Sequence, residues 1–134
     1  MRIPAVAARR LAGDHVAWLT TVTDSGAPAP NPVWFVPDDQ TVLVFTAPAR
    51  KVHNIEQRPL VSLHFNSDAA GGDVVVLNGR AELDHKNPPS ALGSFVAKYG
   101  NAITDELGTT IEEIDATYNT RIRIHPTKVR LTPA

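Results

Sequence analysis

The sequence predicts a mainly β protein with additional helices, in which six antiparallel strands form a closed or partly closed barrel. Six segments carry the apolar patterns of β-strands, and helical periodicity is confined to the stretches between or beside them. The first three strand segments are joined by turns of only a few residues, and strands joined in this way cannot be parallel neighbours. The pattern therefore favours an antiparallel barrel with peripheral helices over a doubly wound parallel sheet.

Composition limits the classes of function that this chain can have. It has 134 residues, and we expect residues 1–134 to form a single domain whose core needs no disulfide or metal. The absence of cysteine excludes thiol catalysis, disulfides and cysteine-ligated metal sites. A formal net charge of −1 offers no overall field that would attract nucleic acid or an anionic membrane. No segment approaches about 18 uninterrupted apolar residues, so we expect a cytoplasmic protein.

The chain begins with a predicted helix followed by a β-hairpin. Residues 3–12 are alanine-rich with helical apolar spacing, and Gly13 ends the helix. Residues 15–23 have the β-branched composition of a strand. Asp24-Ser25-Gly26 is a turn signal, so we expect residues 29–36 to return antiparallel to the first strand.

Prolines alternate along the second strand of this hairpin, at Pro28, Pro30 and Pro32. Because proline has no N–H donor, we expect the strand to be bulged or unpaired on one side. A second turn at residues 37–40 then leads into the third predicted strand, residues 41–46.

A short helix is predicted within residues 46–59, between the third strand and a fourth strand at residues 60–65. Pro48 suits the first turn of a helix, and Pro59 stops it. Arg50 and Lys51 fall in the first turn, where the helix dipole is already positive. Two readings remain open: the two cations point into solvent, or they converge with free backbone N–H groups on a bound phosphate.

The second half of the chain contains two further strands. Residues 73–83 carry the longest β pattern, and Gly79 within it indicates a bulge or a close approach of the backbone. Residues 120–132 form the last predicted strand.

Two helices are predicted between these strands. Residues 88–99 place apolar side chains on one helical face, and we expect Gly100 to follow the helix as its C′ residue. Residues 104–118 form a second helix, which Gly108 weakens.

No residue pattern identifies a catalytic nucleophile or a metal site, so the catalytic residues are unknown and we expect no metal. The histidines fall in separate elements with no pair at metal-ligand spacing: His15, His53, His64, His85 and His125. If the protein is an enzyme, an organic cofactor must then supply the chemistry, and the protein supplies a shaped slot and a phosphate clamp.

The order of several motifs resembles the split β-barrel flavin and deazaflavin oxidoreductases related to pyridoxamine 5′-phosphate oxidase. The resemblance covers about residues 12–84 and, more loosely, the last strand. Its motifs are Asp24-Ser25-Gly26-Ala27-Pro28, Pro32-Val33-Trp34-Phe35, Arg50-Lys51 followed by Asn54-Ile55, Arg58-Pro59, and Asn78-Gly79-Arg80-Ala81. This resemblance implies a split barrel of the FMN-binding type and a homodimer with cofactor sites at the subunit interface.

The resemblance also implies a set of cofactor-binding residues. Lys51 matches the phosphate-binding lysine, with Arg50 beside it, and Asn54 braces their helix. Phe45 and Thr46 lead into the phosphate site. The ring of the cofactor is expected against Asn31, Pro32, Val33 and Trp34, and Arg80 is expected to act from the partner subunit.

The subgroup that this chain is most similar to uses the deazaflavin coenzyme F420, and FMN is the alternative. The resemblance then implies an oxidoreductase that transfers a hydride between F420 and an unknown electron-poor small-molecule substrate. Ala49, Pro32 and Trp34 depart from residues that some relatives carry, which leaves the choice of cofactor open. A non-catalytic carrier or sensor of F420, flavin or haem is a further alternative.

Overall fold

The structure, a computed structural model, describes residues 1–132 and contains a closed six-stranded antiparallel barrel. The strands follow one another around the barrel in the order β1-β2-β3-β6-β5-β4. This architecture confirms the mainly β split-barrel prediction. The strands are β1 Ala17–Val22, β2 Pro28–Asp38, β3 Thr41–Thr46, β4 Leu60–His64, β5 Val74–Asp84 and β6 Thr120–Thr132.

Four α-helices and two shorter helical turns accompany the barrel. None of the helices within residues 1–132 is long and apolar enough to span a membrane. The α-helices are α1 Ala5–Gly13, α2 Arg50–Gln57, α3 Gly93–Asn101 and α4 Ile111–Thr117, and the shorter turns are a 3₁₀ turn at Pro89–Ala91 and a π-helical turn at Ala102–Glu106.

The barrel interior is filled by the alternate residues of each strand that point inward. Leu19, Phe35 and Leu63 are among the fully buried side chains of this interior cluster. Leu11 of α1 and Ile55 of α2 complete it. These two helices therefore contribute to the same core as the strands.

A second apolar cluster lies on the outer face of β2 and β3, beneath the helices of the segment 89–117. Leu43 and Phe45 supply its strand side, while Phe95, Tyr99 and Ile114 supply its helix side. The barrel is therefore covered by helices on this side.

β2 changes partners partway along its length, and this change positions the site described below. Residues 28–33 pair with β1, whereas the β3 pairing begins at Trp34 and ends at Asp38. Within the described chain, the half of β2 that contains Pro28, Pro30 and Pro32 thus has a strand on one side only. The prediction that the alternating prolines leave β2 unpaired on one side is confirmed.

Gly79 has the role that its position in the strand indicated. The register of β5 against β6 shifts between Asn78 and Gly79. A Cβ atom at Gly79 would lie 2.5 Å from the backbone oxygen of His125, so that only glycine fits there. The predicted bulge and close approach are both confirmed.

The prediction of one helix over residues 104–118 is wrong. The π-helical turn ends at Glu106, and Gly108 adopts a positive φ of 63°, which breaks the helical path. A new helix, α4, then begins after Thr110, whose Oγ1 accepts a hydrogen bond from the Glu113 backbone N–H at 3.2 Å.

Two helix boundaries also differ from the predicted ones. α3 continues through Gly100 to Asn101 because the π-helical turn follows directly, so Gly100 is not a C′ residue. Pro48 precedes the N-cap residue of α2, Ala49, and lies outside its first turn. The helix does end before Pro59, as predicted.

Candidate functional site

A cavity of about 240 Å³ lies where β2 separates from β3. Trp34 and Phe45 form the last cross-strand pair of these two strands. Beyond it, Val33 pairs with β1 and Thr46 pairs with β6, which leaves a gap in the barrel wall. The cavity is lined by Val16, Pro32, Val33, Trp34, Phe45, Thr46, Lys51, Phe95, Leu107, Ile114 and Tyr118.

Most of the residues predicted to bind the cofactor line this cavity. The structure brings together Pro32, Val33, Trp34, Phe45, Thr46 and Lys51.

The three remaining predicted residues do not line the cavity of this chain. Asn31 is paired with Leu19, whose side chain belongs to the interior cluster, so it occupies the other face of β2 from Pro32. Arg50 is exposed at the first position of α2. Arg80 is exposed on β5, opposite Leu60 of β4.

Lys51 is a half-buried cation that has no carboxylate partner within residues 1–132. Its Nζ donates a hydrogen bond of 3.2 Å to Oγ1 of the buried Thr46, which in turn donates to the Ala47 carbonyl at 3.0 Å. Among residues 1–132, Lys51 takes part in no ion pair. Burial lowers the pKa of the Lys51 ammonium from its ordinary value of 10.5. An anion in the cavity would therefore supply a counter-ion that residues 1–132 do not provide.

The start of α2 presents further hydrogen-bond donors beside Lys51. The N-cap residue is Ala49, which has no side-chain oxygen that could accept from the first backbone N–H groups of the helix. These N–H groups and the positive end of the helix dipole favour a negative charge at this position.

α2 is held in place by polar contacts with the β1–β2 hairpin. Asn54 is buried, and its Nδ2 donates to Thr21 Oγ1 at 3.0 Å, which agrees with its expected bracing role. At the surface, Asp24 accepts from Arg58 at 3.0 Å and contacts Nε2 of His53 at 3.0 Å. The hydrogen bond with His53, followed by that with Arg58, lowers the pKa of Asp24.

An aromatic cluster forms and supports part of the cavity wall. The Trp34 and Tyr99 rings are stacked, with centroids 4.3 Å apart and an interplanar angle of 7°. Phe95 packs tilted against Phe45 at 4.6 Å and against Tyr99 at 5.1 Å. These contacts restrict the orientation of Trp34, so this wall of the cavity is preformed.

Tyr99 and Lys98 attach α3 to the barrel through backbone groups. The Tyr99 hydroxyl donates to the His15 carbonyl at 2.7 Å and accepts from the Phe35 N–H at 3.0 Å. Burial raises the pKa of this phenol, which keeps it neutral. The Lys98 ammonium donates to the carbonyls of Leu11 and Phe35, both at 3.0 Å, and burial lowers its pKa to about 8.

The sequence did not predict the lining residues that lie outside β2, β3 and α2, which are Val16, Phe95, Leu107, Ile114 and Tyr118. Phe95 and Ile114 did carry a signal, since both lie at helical spacing on apolar faces. That signal does not show where a helix docks: Val96, assigned to the same face as Phe95, is 41% exposed. Val16 and Leu107 carried no signal of a role in the cavity.

Three solved structures show the same fold at low sequence identity. An F420 reductase is 18% identical and has a TM-score of 0.76, with coverage of 96% of this chain and 98% of the other. An FAD-binding protein from Mesorhizobium loti is 21% identical, with a TM-score of 0.64 and coverage of 95% and 92%. A haem storage protein from Vibrio cholerae is 16% identical, with a TM-score of 0.66 and coverage of 98% and 96%.

The sequence itself identifies the family. No curated protein matches this chain. The family profile described as pyridoxamine 5′-phosphate oxidase matches residues 3–133, which is nearly the whole chain. Together with the split barrel, this match confirms the resemblance drawn from the motifs. The chain belongs to the pyridoxamine 5′-phosphate oxidase family.

Proposed function

We propose that this chain is an F420-dependent oxidoreductase that transfers a hydride between the deazaflavin coenzyme and an electron-poor organic substrate. The observation that carries the proposal is Lys51, a half-buried cation without an ion-pair partner among residues 1–132, at one end of an otherwise largely apolar cavity. A buried charge is costly unless it is paired. A bound phosphate group would pair it.

The residues at the Lys51 end fit a phosphate group. The Lys51 ammonium lines the cavity, and the uncapped start of α2, on which Lys51 lies, supplies further hydrogen-bond donors beside it. Arg50, exposed at the same helix start, would add positive charge at the solvent side of the phosphate.

The apolar part of the cavity lining fits a flat ring. Pro32, Trp34 and Phe45 offer apolar surfaces, and the stack of Trp34 on Tyr99 fixes one of them. A bound deazaflavin supplies the hydride chemistry. The protein orients the ring against these side chains and excludes water from it. F420 is favoured over FMN because the Pro32-Val33-Trp34-Phe35 motif resembles the F420 branch, and FMN remains the alternative cofactor.

We further propose that the chain forms a homodimer through the outer face of β1 and β4. Outward-pointing Trp18 and Val22 of β1 are half-buried, and Leu60 of β4 is 63% exposed. The prolines of β2 leave no donors for another strand at that edge, so a partner would pack face to face. Pro32 lies both on this side of the barrel and in the cavity lining.

The size of the cavity supports a contribution from a second subunit. Its volume of about 240 Å³ is below the roughly 300–1,000 Å³ of most small-molecule sites. The exposed Arg80 lies beside Leu60, on the proposed interface, from where it would reach the cofactor of the partner.

Sedimentation analysis of Leu60→Arg tests the proposed dimer. We expect a dimeric wild type and a monomeric variant, because a buried unpaired cation would oppose association. Val6→Arg is the matched control, since Val6 is an exposed apolar residue of α1 and is 40% exposed. A monomeric wild type, or equal effects of the two substitutions, would contradict the interface.

Fluorescence titration with F420 tests whether F420 is the cofactor and whether Lys51 binds it. We expect Lys51→Glu to weaken F420 binding at least about tenfold, since it replaces an attraction to phosphate with a repulsion. Lys86→Glu makes the same charge change at an exposed loop position and should leave the affinity unchanged. Equal affinity for F420 in wild type and Lys51→Glu would show that Lys51 is not part of the site. Tighter binding of FMN than of F420 would make FMN the proposed cofactor.

Rapid mixing separates an enzyme from a carrier. Reduced cofactor bound to the protein is mixed with quinones, nitro compounds or biliverdin, and its reoxidation is followed by absorbance. We expect reoxidation by at least one of these acceptors. Tight binding of the cofactor without any reoxidation would indicate a carrier or sensor instead.

A further inference from the structure

Arg121 of β6 is a buried cation that the function proposed above does not use. It is only 8% exposed, and an arginine side chain stays charged at any ordinary pH. Among residues 1–132 it takes part in no ion pair. Its Nη2 donates to the Pro88 carbonyl at 3.1 Å, whereas its Nε is buried and has no hydrogen-bond partner within the same residues. A buried charge of this kind reduces the stability of a protein.

The carboxylate that is closest to Arg121 in the strand register does not pair with it. Asp84 of β5 is its cross-strand neighbour, but the Asp84 carboxylate accepts hydrogen bonds from the loop that follows β5. Arg123 points to the same outer face of β6 and shows the contrast, since it is ion-paired with Asp38 at 2.8 Å. The charge of Arg121 is therefore not neutralised by direct contact within residues 1–132.

Arg121 lies against one wall of the cavity. Its cross-strand neighbour on β3 is Phe45, and its guanidinium carbon is 5.5 Å from the centre of the Phe45 ring. Phe45 lines the cavity, whereas Arg121 itself does not. A cation near an aromatic face is attracted to the ring, so this contact helps to hold Phe45 in place. The charge also lies beside an apolar wall, where water screens it less than at the surface.

On the basis of the proposed function, we infer that Arg121 is a positioning residue of the cofactor site. It supports the Phe45 wall, and its charge raises the affinity for the reduced cofactor relative to the oxidised one. A hydride consists of one proton and two electrons, so it adds one negative charge to the molecule that receives it. A fixed positive charge favours the more negative of two bound forms.

This contribution gives the exchange of the cofactor a direction. In the transfer, the reduced cofactor loses the hydride and is oxidised, and the electron-poor acceptor gains the hydride and is reduced. The charge of Arg121 favours uptake of the cofactor that carries the hydride and release of the cofactor that has lost it.

Arg121 and Lys51 have different roles in this assignment. Lys51 is assigned to the phosphate, whose charge is the same in both redox forms, so it strengthens the binding of both forms alike. Arg121 lies against Phe45, in the apolar part of the lining that is assigned to the ring, where the charge changes. The two cations therefore predict different effects on the ratio of the two dissociation constants.

The dissociation constants of oxidised and reduced F420 test this assignment. Both can be measured without air by quenching of tryptophan fluorescence, since Trp34 lines the cavity. Arg121→Met removes the charge and keeps an apolar side chain against Phe45. We expect the preference for the reduced form to fall about tenfold, which is about 30 mV for a two-electron couple. Arg121→Gln, which keeps a donor for the Pro88 carbonyl, should give the same change.

Three variants serve as controls for this ratio, and each should stay within about twofold of wild type. Arg121→Lys keeps the charge. Arg123→Met removes a charge from the same face of β6, but from an ion pair. Lys51→Gln should weaken the binding of both redox forms by a similar factor.

Thermal unfolding separates the role of the charge from a purely structural role. Because Arg121 has no ion-pair partner within residues 1–132, the Tm of Arg121→Met should be equal to or higher than that of wild type. An arginine that is needed only for packing predicts a lower Tm and equally weakened binding of both redox forms.

The inference is overturned by an unchanged ratio in a folded Arg121→Met or Arg121→Gln, or by an equal change of the ratio in any of the three controls. It is also overturned if neither variant folds, or if the Tm falls and both redox forms bind equally less tightly. When F420 binds to wild type, these results remove the inference alone. If FMN binds and F420 does not, the F420 proposal fails, and the same ratio measured with FMN decides the inference. If neither cofactor binds, both proposals fail.

Discussion

α2 and the helical segment 89–117 line the same cavity, yet they are attached to the barrel in different ways. α2 is joined to β3 and β4 by links of two or three residues, and its buried Asn54 is hydrogen-bonded to Thr21 of β1. The segment 89–117 is divided into four short helical pieces. Its α3 is anchored by apolar packing and by the hydrogen bonds of Lys98 and Tyr99, whereas the pieces after α3 contribute Ile103 and Ile114 to the apolar cluster.

This difference separates the lining residue on α2, Lys51, from the lining residues that follow α3, Leu107 and Ile114. Hydrogen bonds between buried groups fix direction as well as distance, so α2 can hold Lys51 in one position. Apolar contacts are non-directional, and a segment held by them tolerates changes of shape if volume is preserved. The position of Lys51 is therefore fixed by directional contacts, whereas Leu107 and Ile114, which follow α3, belong to pieces placed by apolar packing.

The largest expected effect on stability comes from truncating Phe95, which anchors the segment 89–117. Phe95→Ala should destabilise the protein by about 3–5 kcal/mol, because the fully buried ring leaves a cavity. Urea denaturation measures this free energy of unfolding. The neighbouring Val96→Ala, at an exposed position of the same helix, should stay within about 0.5 kcal/mol of wild type. Similar losses in both variants would show that the aromatic cluster is not the anchor.

An intermediate effect is expected when the polar attachment of α2 is broken. Asn54→Leu leaves the buried Thr21 hydroxyl without its partner, which should cost about 1–3 kcal/mol. In the double variant with Thr21→Val both polar groups are absent, so the loss should be smaller than the sum of the two single losses. Additive losses in this double-mutant cycle would indicate that the hydrogen bond does not hold α2.

The smallest expected effect is a pH dependence of the stability that comes from Lys98, whose ammonium also attaches α3 to the barrel. The pKa of Lys98 is lowered from 10.5 to about 8 in the folded protein, so the unfolded chain binds more protons between these values. Stability contributed at Lys98 should therefore rise as pH increases from about 8 to about 10.5, and be independent of pH well below 8, where Lys98 is protonated in both states.

Thermal unfolding of wild type and Lys98→Met over this pH range isolates the contribution of Lys98. The difference in Tm should shift in favour of wild type as the pH rises, by less than the full pKa shift implies because the ammonium is partly screened by solvent. Lys86→Met, at an exposed position, should show a difference that is independent of pH. A constant difference for Lys98→Met would contradict the lowered pKa.

Much of the barrel could be predicted from the sequence because strand signals are local. Alternation of apolar residues, the turn at Asp24-Ser25-Gly26 and the bulge at Gly79 each follow from side-chain and backbone preferences of neighbouring residues. The helix over residues 104–118 could not be predicted correctly, because the break at Gly108 follows a π-helical turn whose Ile103 packs in the cluster formed with β2 and β3, a contact between distant parts of the sequence.

The residues of the candidate site could also be predicted only where the signal is local. The residues of β2, β3 and α2 were predicted because the motifs lie within short segments of the sequence. Val16, Leu107 and Tyr118 were missed because they meet the cavity only when three distant segments are folded together.

The sequence by itself determined the barrel, the absence of cysteine chemistry and the presence of two cations at the start of a helix. Only the tertiary structure decided between those cations: Lys51 lines the cavity, while Arg50 is exposed. The physical reason is that consecutive residues of a helix project in different directions. When the face of α2 that carries Lys51 lies at the cavity, Arg50 projects elsewhere. Which of the two enters depends on how α2 docks, and that is set by contacts between residues far apart in the sequence.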